Sequence, residues 1–366
     1  MARSIMEYLE WRGDLNLDIV PFNEVDGVIL ARLSYFPFEA LFGNEQKESI
    51  TISNAAKAFL ETAEIEENVK LKNDIELMKA LIESRRFADL ELINFASKLD
   101  LQSETQFSVI TVCLNENLHF IAFRGTDNTL VGWKEDFNMS FVCPVPAQEL
   151  AAEYLEEHAK EYKGKFILGG HSKGGNLAVY AAAFSKDETQ NRIEAVYNYD
   201  GPGFDEKVLS TDGYKNICDK ISTFVPESAI VGMLLGREEE HEVVSSTESA
   251  GFQQHDTYSW EVTKDGFVCL DSVDNSSKFM DYTIKAWLWG LTDTQREDFI
   301  VTVYEIMTET NAVTVQDITD NWLQSGIAMI KSYRNMNEDS REAVSEGFKM
   351  LAKSAKEGAF ELLHDK

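Results

Sequence analysis

Apolar residues recur at helical spacing through the first hundred positions, in Val25–Leu41, Ala55–Ala63 and Asp74–Phe95. This spacing predicts a largely helical segment over residues 1–104 that caps the next region. From about residue 105 the texture changes. Short β-rich runs, Gln106–Leu114, His119–Phe123, Phe166–Leu168, Ala195–Tyr199 and Ile221–Val225, are separated by turns, with helical stretches between them at Ala147–Tyr162 and Asn176–Phe184. Apolar strands alternating with helices predict an α/β core over residues 105–277, a mainly parallel sheet flanked by helices on both faces. Beyond Ser277 the period is helical again, in Lys278–Gly290, Asp293–Thr308, Thr314–Tyr333 and Asp339–Leu363. Residues 278–366 therefore read as a helical C-terminal extension, packed on the core or standing as a small separate domain, and they offer a surface for a protein partner.

Composition narrows what this chain can do. At 366 residues and 44% hydrophobic content, it can bury a substantial core. Its 34 basic and 63 acidic residues leave a formal charge of −29, which repels nucleic acid and anionic membrane surfaces. Acidic residues interrupt the first ten positions, where an export signal would need an unbroken apolar stretch. Apolar runs such as Ile230–Leu235 stop far short of the ~20 residues that span a bilayer, so stable membrane insertion is not expected. Four well-separated cysteines (Cys113, Cys143, Cys218, Cys269) form no C-x-x-C pair, and predict a cytoplasmic protein with free, mostly buried thiols and no zinc knuckle. The acidic run Glu238–Glu242 reads as a solvated loop, and no metal site is assigned to it.

One segment carries chemistry. In Lys165–Ala178 an apolar strand runs into Gly170-His171-Ser172-Lys173-Gly174 and then into a helix rich in small residues. A nucleophilic serine on a sharp strand-to-helix turn needs this order, because side chains two positions before and after it would collide; Gly170 and Gly174 satisfy that need. The positive N-terminal end of the following helix would face the site where negative charge develops. The order predicts a nucleophile elbow like that of α/β-hydrolase-type enzymes, with Ser172 as the expected nucleophile. The spacing of a phosphate-binding loop, G-x-x-x-x-G-K-[ST], is absent.

His119-Phe120-Ile121-Ala122-Phe123-Arg124-Gly125-Thr126-Asp127, followed by Trp133, Asp136 and the Gly-His-Ser-Lys-Gly-Gly elbow, resembles the class 3, fungal-type lipase branch of the α/β-hydrolases, and more closely a bacterial group of that branch. The resemblance covers roughly residues 25 to 270. Acyl transfer needs N–H donors aimed at the tetrahedral oxyanion. The N–H of Lys173, just after the nucleophile, supplies one, and the resemblance implies that Thr126 supplies the second. The alternative for Thr126 is an ordinary turn residue, with Arg124 and Asp136 a structural ion pair that holds the loop.

The general base emerges by elimination among six histidines. His119 and His158 precede the elbow, His171 points away from the serine on a tight turn, His241 sits in an acidic run and His364 lies in the tail. His255 remains, in a late loop-like segment before the strand-like Tyr258–Val262, and matches the chain order serine, acid, histidine. Its orienting acid has two candidates. Asp200 closes the strand Ala195–Tyr199 before a Gly-Pro-Gly turn, and Glu227 follows Ile221–Pro226. The resemblance implies an aspartate just before Ile230-Val231, where this chain has Ala229. Asp200 is favoured, and a turn-capping role is its alternative. The reading is hydrolysis of carboxylic esters or thioesters on a small acyl substrate, lipid-like by resemblance, through an acyl-enzyme and without a cofactor. The same machinery would also serve an amidase, a peptidase or an acyltransferase, and an inactive binding protein would keep the same fold.

Overall fold

The computed structural model describes residues 3–364 apart from 44, 47, 63–64, 127–128, 140–141, 250 and 311–321. Its described residues contain one ten-stranded sheet. The strands are β1 (Glu45–Gln46), β2 (Ile50–Thr51), β3 (Glu91–Asp100), β4 (Thr105–Asn115), β5 (Leu118–Phe123), β6 (Lys165–His171), β7 (Ile193–Tyr199), β8 (Ile221–Pro226), β9 (His241–Val244) and β10 (Cys269–Leu270). Along the sheet β3 to β10 lie in chain order, with β1 outside β3 and β2 paired to β3 off that path. β5 through β9 pair in parallel, whereas β4 meets β5, and β10 meets β9, antiparallel.

The parallel centre reflects the apolar runs. Every residue of β6 after Lys165 is buried, as a strand covered on both faces requires. Helices Pro146–Glu161 and Lys173–Phe184 make the crossovers on either side of β6. Because strands are added in order, the C-terminal ends of β6, β7 and β8 lie side by side at one edge of the sheet, in the register His171 to Tyr199 to Phe224. Those ends are followed by Ser172, Asp200 and Glu227.

By compactness the chain divides into two units. The first comprises Met1–Lys98, Phe107–Gly125 and Ala147–Asp274, and its core joins strands such as β4 and β5 to the N-terminal helices through Val28, Phe38, Phe59, Ile110, Phe120 and Trp260. The second comprises Leu99–Gln106, Thr126–Pro146 and Asn275–Lys366, so the C-terminal helices share a unit with two earlier stretches. Its apolar centre is Trp287, Leu288, Leu291, Phe299 and Ile300. The Trp287 indole N–H donates to the Gly347 carbonyl at 2.9 Å, and the Lys134 ammonium meets both Glu104 (2.5 Å) and the Tyr304 ring (4.5 Å to its centroid). Among the described residues no helix is long and apolar enough to cross a membrane.

Several expected elements are corrected. The helix expected over Asp74–Phe95 ends at Glu83, and Phe95 lies in β3. Arg86, drawn into a fully buried ion pair with Asp26 and onto the carbonyls of Leu15, Val20 and Pro21, turns the chain there, and a short apolar run fits either period. Val25–Leu41 is two helices, Glu24–Leu33 and Phe38–Phe42, divided at Pro37. Tyr258–Val262 is a 3-10 turn over Thr257–Ser259 followed by isolated bridges at Trp260 and Val262. Part of the acidic run is no loop: His241 and Glu242 enter β9, and Glu239 accepts from the hydroxyls of Tyr214 and Thr223. The thiols are free but not mostly buried, since Cys113, Cys143 and Cys218 are partly exposed and Cys269 is exposed on edge strand β10. Of the helix expected over Thr314–Tyr333, residues 314–321 lie outside the described residues and Trp322–Asn335 is helical.

Candidate active site

β6 ends at His171, and Ser172 turns the chain into helix Lys173–Phe184 with φ 59° and ψ −133°. A side-chain-bearing residue at positive φ costs about 1–3 kcal/mol and persists only where its surroundings enforce it. The enforcement is visible. Ser172 N–H donates to the Tyr199 carbonyl on β7, and Gly175 N–H returns to the Ser172 carbonyl, both at 2.9 Å. A Cβ on Gly170 would collide with the Gly174 backbone, and one on Gly174 with the Phe123 carbonyl, so both elbow positions require glycine. The exit of β5 runs alongside: a Cβ on Gly125 would lie 3.2 Å from that of Ser172. The Ser172 hydroxyl makes no capping bond to the helix it precedes. Lys173, buried, is the first helical residue.

Asp200 stands one strand over, fully buried and also at positive φ (52°). Its Oδ2 is 2.6 Å from His255 Nδ1, and its Oδ1 accepts the Gly232 N–H at 2.9 Å. Both oxygens are thus directed away from its own turn. That turn is held by other groups: Asn198 Oδ1 accepts from Gly201 N–H at 2.9 Å, and Asn176 Nδ2 donates to the carbonyls of Pro202 and Gly203 at 3.1 and 3.0 Å. A Cβ on Gly232 would collide with Asp200 Oδ1, so the loop after β8 supports the carboxylate through a glycine. Glu227 lies elsewhere. Its described bonds are backbone ones, to Val244 and Asp274 at 3.1 and 2.9 Å, and the carboxylate bonded to His255 is that of Asp200.

His255 ends the 3-10 segment Gly251–His255. Its neighbour Gln254 is clamped three times: Oε1 accepts from Ser228 N–H (2.7 Å), Nε2 donates to the Glu248 carbonyl, and its own carbonyl accepts the Trp260 indole N–H (both 2.8 Å). A carboxylate only accepts, so His255 bears its proton on Nδ1, and in the neutral ring the lone pair is on Nε2. The side chain of His255 is 19% exposed, against 1% for Asp200: the imidazole reaches the surface, the carboxylate does not.

The other histidines have different surroundings. His119 on β5 and His158 are buried and bonded to each other, Nδ1 to Nε2, at 2.9 Å. His241 is exposed on β9, and the His364 side chain lies outside the described residues. His171 was expected only to point away from the serine. Its ring lies against that of His255, centroids 4.5 Å apart, and its Nε2 is 2.8 Å from the His255 carbonyl. No local sequence signal announces that contact.

Thr126 belongs to the second unit, where it is buried and its hydroxyl donates to Asp136 at 2.5 Å. Arg124, in the first unit, makes a two-pronged bond to Glu39, at 2.6 and 3.2 Å, a carboxylate that the N-terminal helices bring to the end of β5. Asp127 lies outside the described residues. Among the described residues no group of three or more His, Cys, Asp or Glu side chains could hold a metal ion.

The sequence model of a family described as Mbeg1-like matches residues 81–305. No curated protein matches the chain. Among solved structures, a native Rhizomucor miehei lipase propeptide complex is 18% identical over 61% of this chain and 68% of that one, with a TM-score of 0.36. M37 lipase is 16% identical over 58% and 70%, at 0.37. A fungal lipase–inhibitor complex is 17% identical over 54% and 78%, at 0.34. Likenesses this distant carry no weight for the activity or the substrate of this chain.

Proposed function

The chain belongs to the Mbeg1-like family, and from that premise we propose that it is a serine hydrolase of carboxylic esters or thioesters. The observation that carries this reading is the pairing of an enforced serine elbow with a histidine whose Nδ1 is bonded at 2.6 Å to a buried aspartate. Ser172 Oγ attacks the acyl carbonyl while His255 Nε2 takes its proton. The imidazolium so formed is stabilised by Asp200, which stays ionised. His255 then returns the proton to the leaving alcohol or thiol, and water repeats the sequence on the acyl-enzyme.

The oxyanion is met by the Lys173 N–H at the positive end of its helix. The role of Thr126 as second donor rests on the sequence resemblance alone. Lipid-like acyl chains rest on that resemblance too. The free cysteines favour an intracellular acyl ester as substrate, because secreted proteins tend to pair theirs. No cofactor takes part in this scheme.

A fluorophosphonate probe tests the proposal. The wild-type protein should be labelled and Ser172→Ala should not. A folded wild-type protein that neither takes up the probe nor turns over short p-nitrophenyl esters would overturn it.

A further inference from the structure

Asp200 holds the ring of His255, but a base must also be held by its backbone. We propose that His171 is the positioning residue that does this, fixing the main chain of His255 from the position beside the nucleophile. The inference rests on the serine-hydrolase reading above.

The His255 carbonyl can only accept, so the 2.8 Å contact requires a proton on His171 Nε2. Nδ1 of His171 is then the bare nitrogen, and the Tyr35 hydroxyl lies 3.2 Å from it. That hydroxyl is also 3.2 Å from the His171 carbonyl, so its one proton faces two acceptors of the same residue. His171 is 5% exposed. Burial first, then His255, Arg32 and Lys70, hold its imidazole well below the usual histidine range, so that it stays a neutral donor next to a base that must become charged. A second imidazolium against His255 would oppose the proton transfer.

The support continues outward. The Arg32 guanidinium lies 4.5 Å over the Tyr35 ring and bonds both oxygens of buried Asp74, each at 2.7 Å. Asp74 Oδ1 in turn accepts the Tyr258 hydroxyl at 2.8 Å. The path therefore closes on itself: Tyr258 and His255, three residues apart, are tied by side chain and by carbonyl to one buried network. A histidine needing only satisfied polar atoms could use any carbonyl; this one uses that of the base.

Three variants of the full-length protein test the assignment: His171→Phe keeps an aromatic ring without the donor, His171→Gln keeps an N–H, and Tyr35→Phe removes the hydroxyl. They are read by kcat and KM on p-nitrophenyl butyrate and by the proton NMR signal of the His255–Asp200 hydrogen bond. For His171→Phe, kcat should fall about 10- to 100-fold with KM within about threefold, since small misplacements of a catalytic group have effects of that size. The NMR signal should broaden or vanish, and His171→Gln should recover most of both. Should His171→Phe not fold, Tyr35→Phe carries the test, with a smaller drop in kcat and a weakened signal. Folded variants with wild-type kcat and an undisturbed signal would overturn the assignment, as would His171→Gln failing as badly as His171→Phe. If the wild-type protein has no turnover, the hydrolase reading fails, while the NMR comparison still decides whether His171 holds His255.

Discussion

Two pairs of histidines touch in the first unit, and they have opposite prospects. His119 and His158 bond directly, Nδ1 to Nε2 at 2.9 Å, within a box of Tyr154, Tyr162 and Phe166 closed by Asn94. Among the described residues no carboxylate is bonded to either ring. Burial first, then His119 and Arg192, push His158 down to about 3, and burial with Arg192 lowers His119 as well. His171 and His255 are as close, but their contact runs from a ring to a carbonyl, which leaves the His255 ring for Asp200, and His255 alone among the four is partly exposed. A pair of imidazoles is therefore no sign of acid–base chemistry. A carboxylate behind the ring and an opening before it make the difference.

Exchanging the pairs' fates would break this contrast, and the largest effect is expected at His255. His255→Gln should lower kcat on a p-nitrophenyl ester by up to about 10⁶-fold, while His158→Gln stays within a few-fold in the same assay. Next comes the carboxylate. Asp200→Asn should lower kcat by about 10⁴-fold, the effect of a wrong tautomer on an otherwise intact base, and Glu227→Gln should leave it nearly unchanged; the reverse ranking would move the acid one strand along. Gly232→Ala sharpens the same point, because its methyl would displace Asp200 Oδ1. A fall in kcat of about 10- to 100-fold is expected, with the melting temperature moved far less.

The smallest effect belongs to the sealed pair and is read as stability. In the unfolded chain both histidines titrate near about 6.5, whereas in the fold they stay neutral to lower pH. The unfolded state therefore takes up more protons as pH falls from about 6.5 toward 3, and folding stability drops across that window by at most about 1.4 kcal/mol per pH unit for each proton. Above the window the pair contributes nothing to the slope. Denaturant midpoints for His158→Phe should show a shallower acid slope than wild type, and equal slopes would contradict the neutral, buried assignment.

How much of this was legible in the sequence depends on how locally each feature is determined. The elbow is legible because its strand, glycines and helix all lie within Lys165–Ala178, and the parallel centre because buried strands appear as unbroken apolar runs. His255 emerges from counting, because the sequence places His119 and His158 before the elbow, His241 in an acidic run and His364 in the tail. The choice between Asp200 and Glu227 is not local. It depends on the register of β7 against β8 and on Gly232, whose N–H reaches the carboxylate from a different loop. Nor is the part played by His171, which needs Tyr35 from a helical stretch far back in the chain. β3 escaped because Leu77, Leu81, Ala88, Leu92 and Phe95 keep helical spacing across a boundary that the buried Arg86–Asp26 pair sets.

The most direct measurement is rapid-quench mass spectrometry of the wild-type protein turning over p-nitrophenyl acetate, with peptide mapping of the quenched samples. A transient acetyl group on the peptide carrying Ser172, lost on further incubation, is the expected result. Steady turnover with no adduct on Ser172, or with the acetyl group on another residue, would contradict an acyl-enzyme at the elbow.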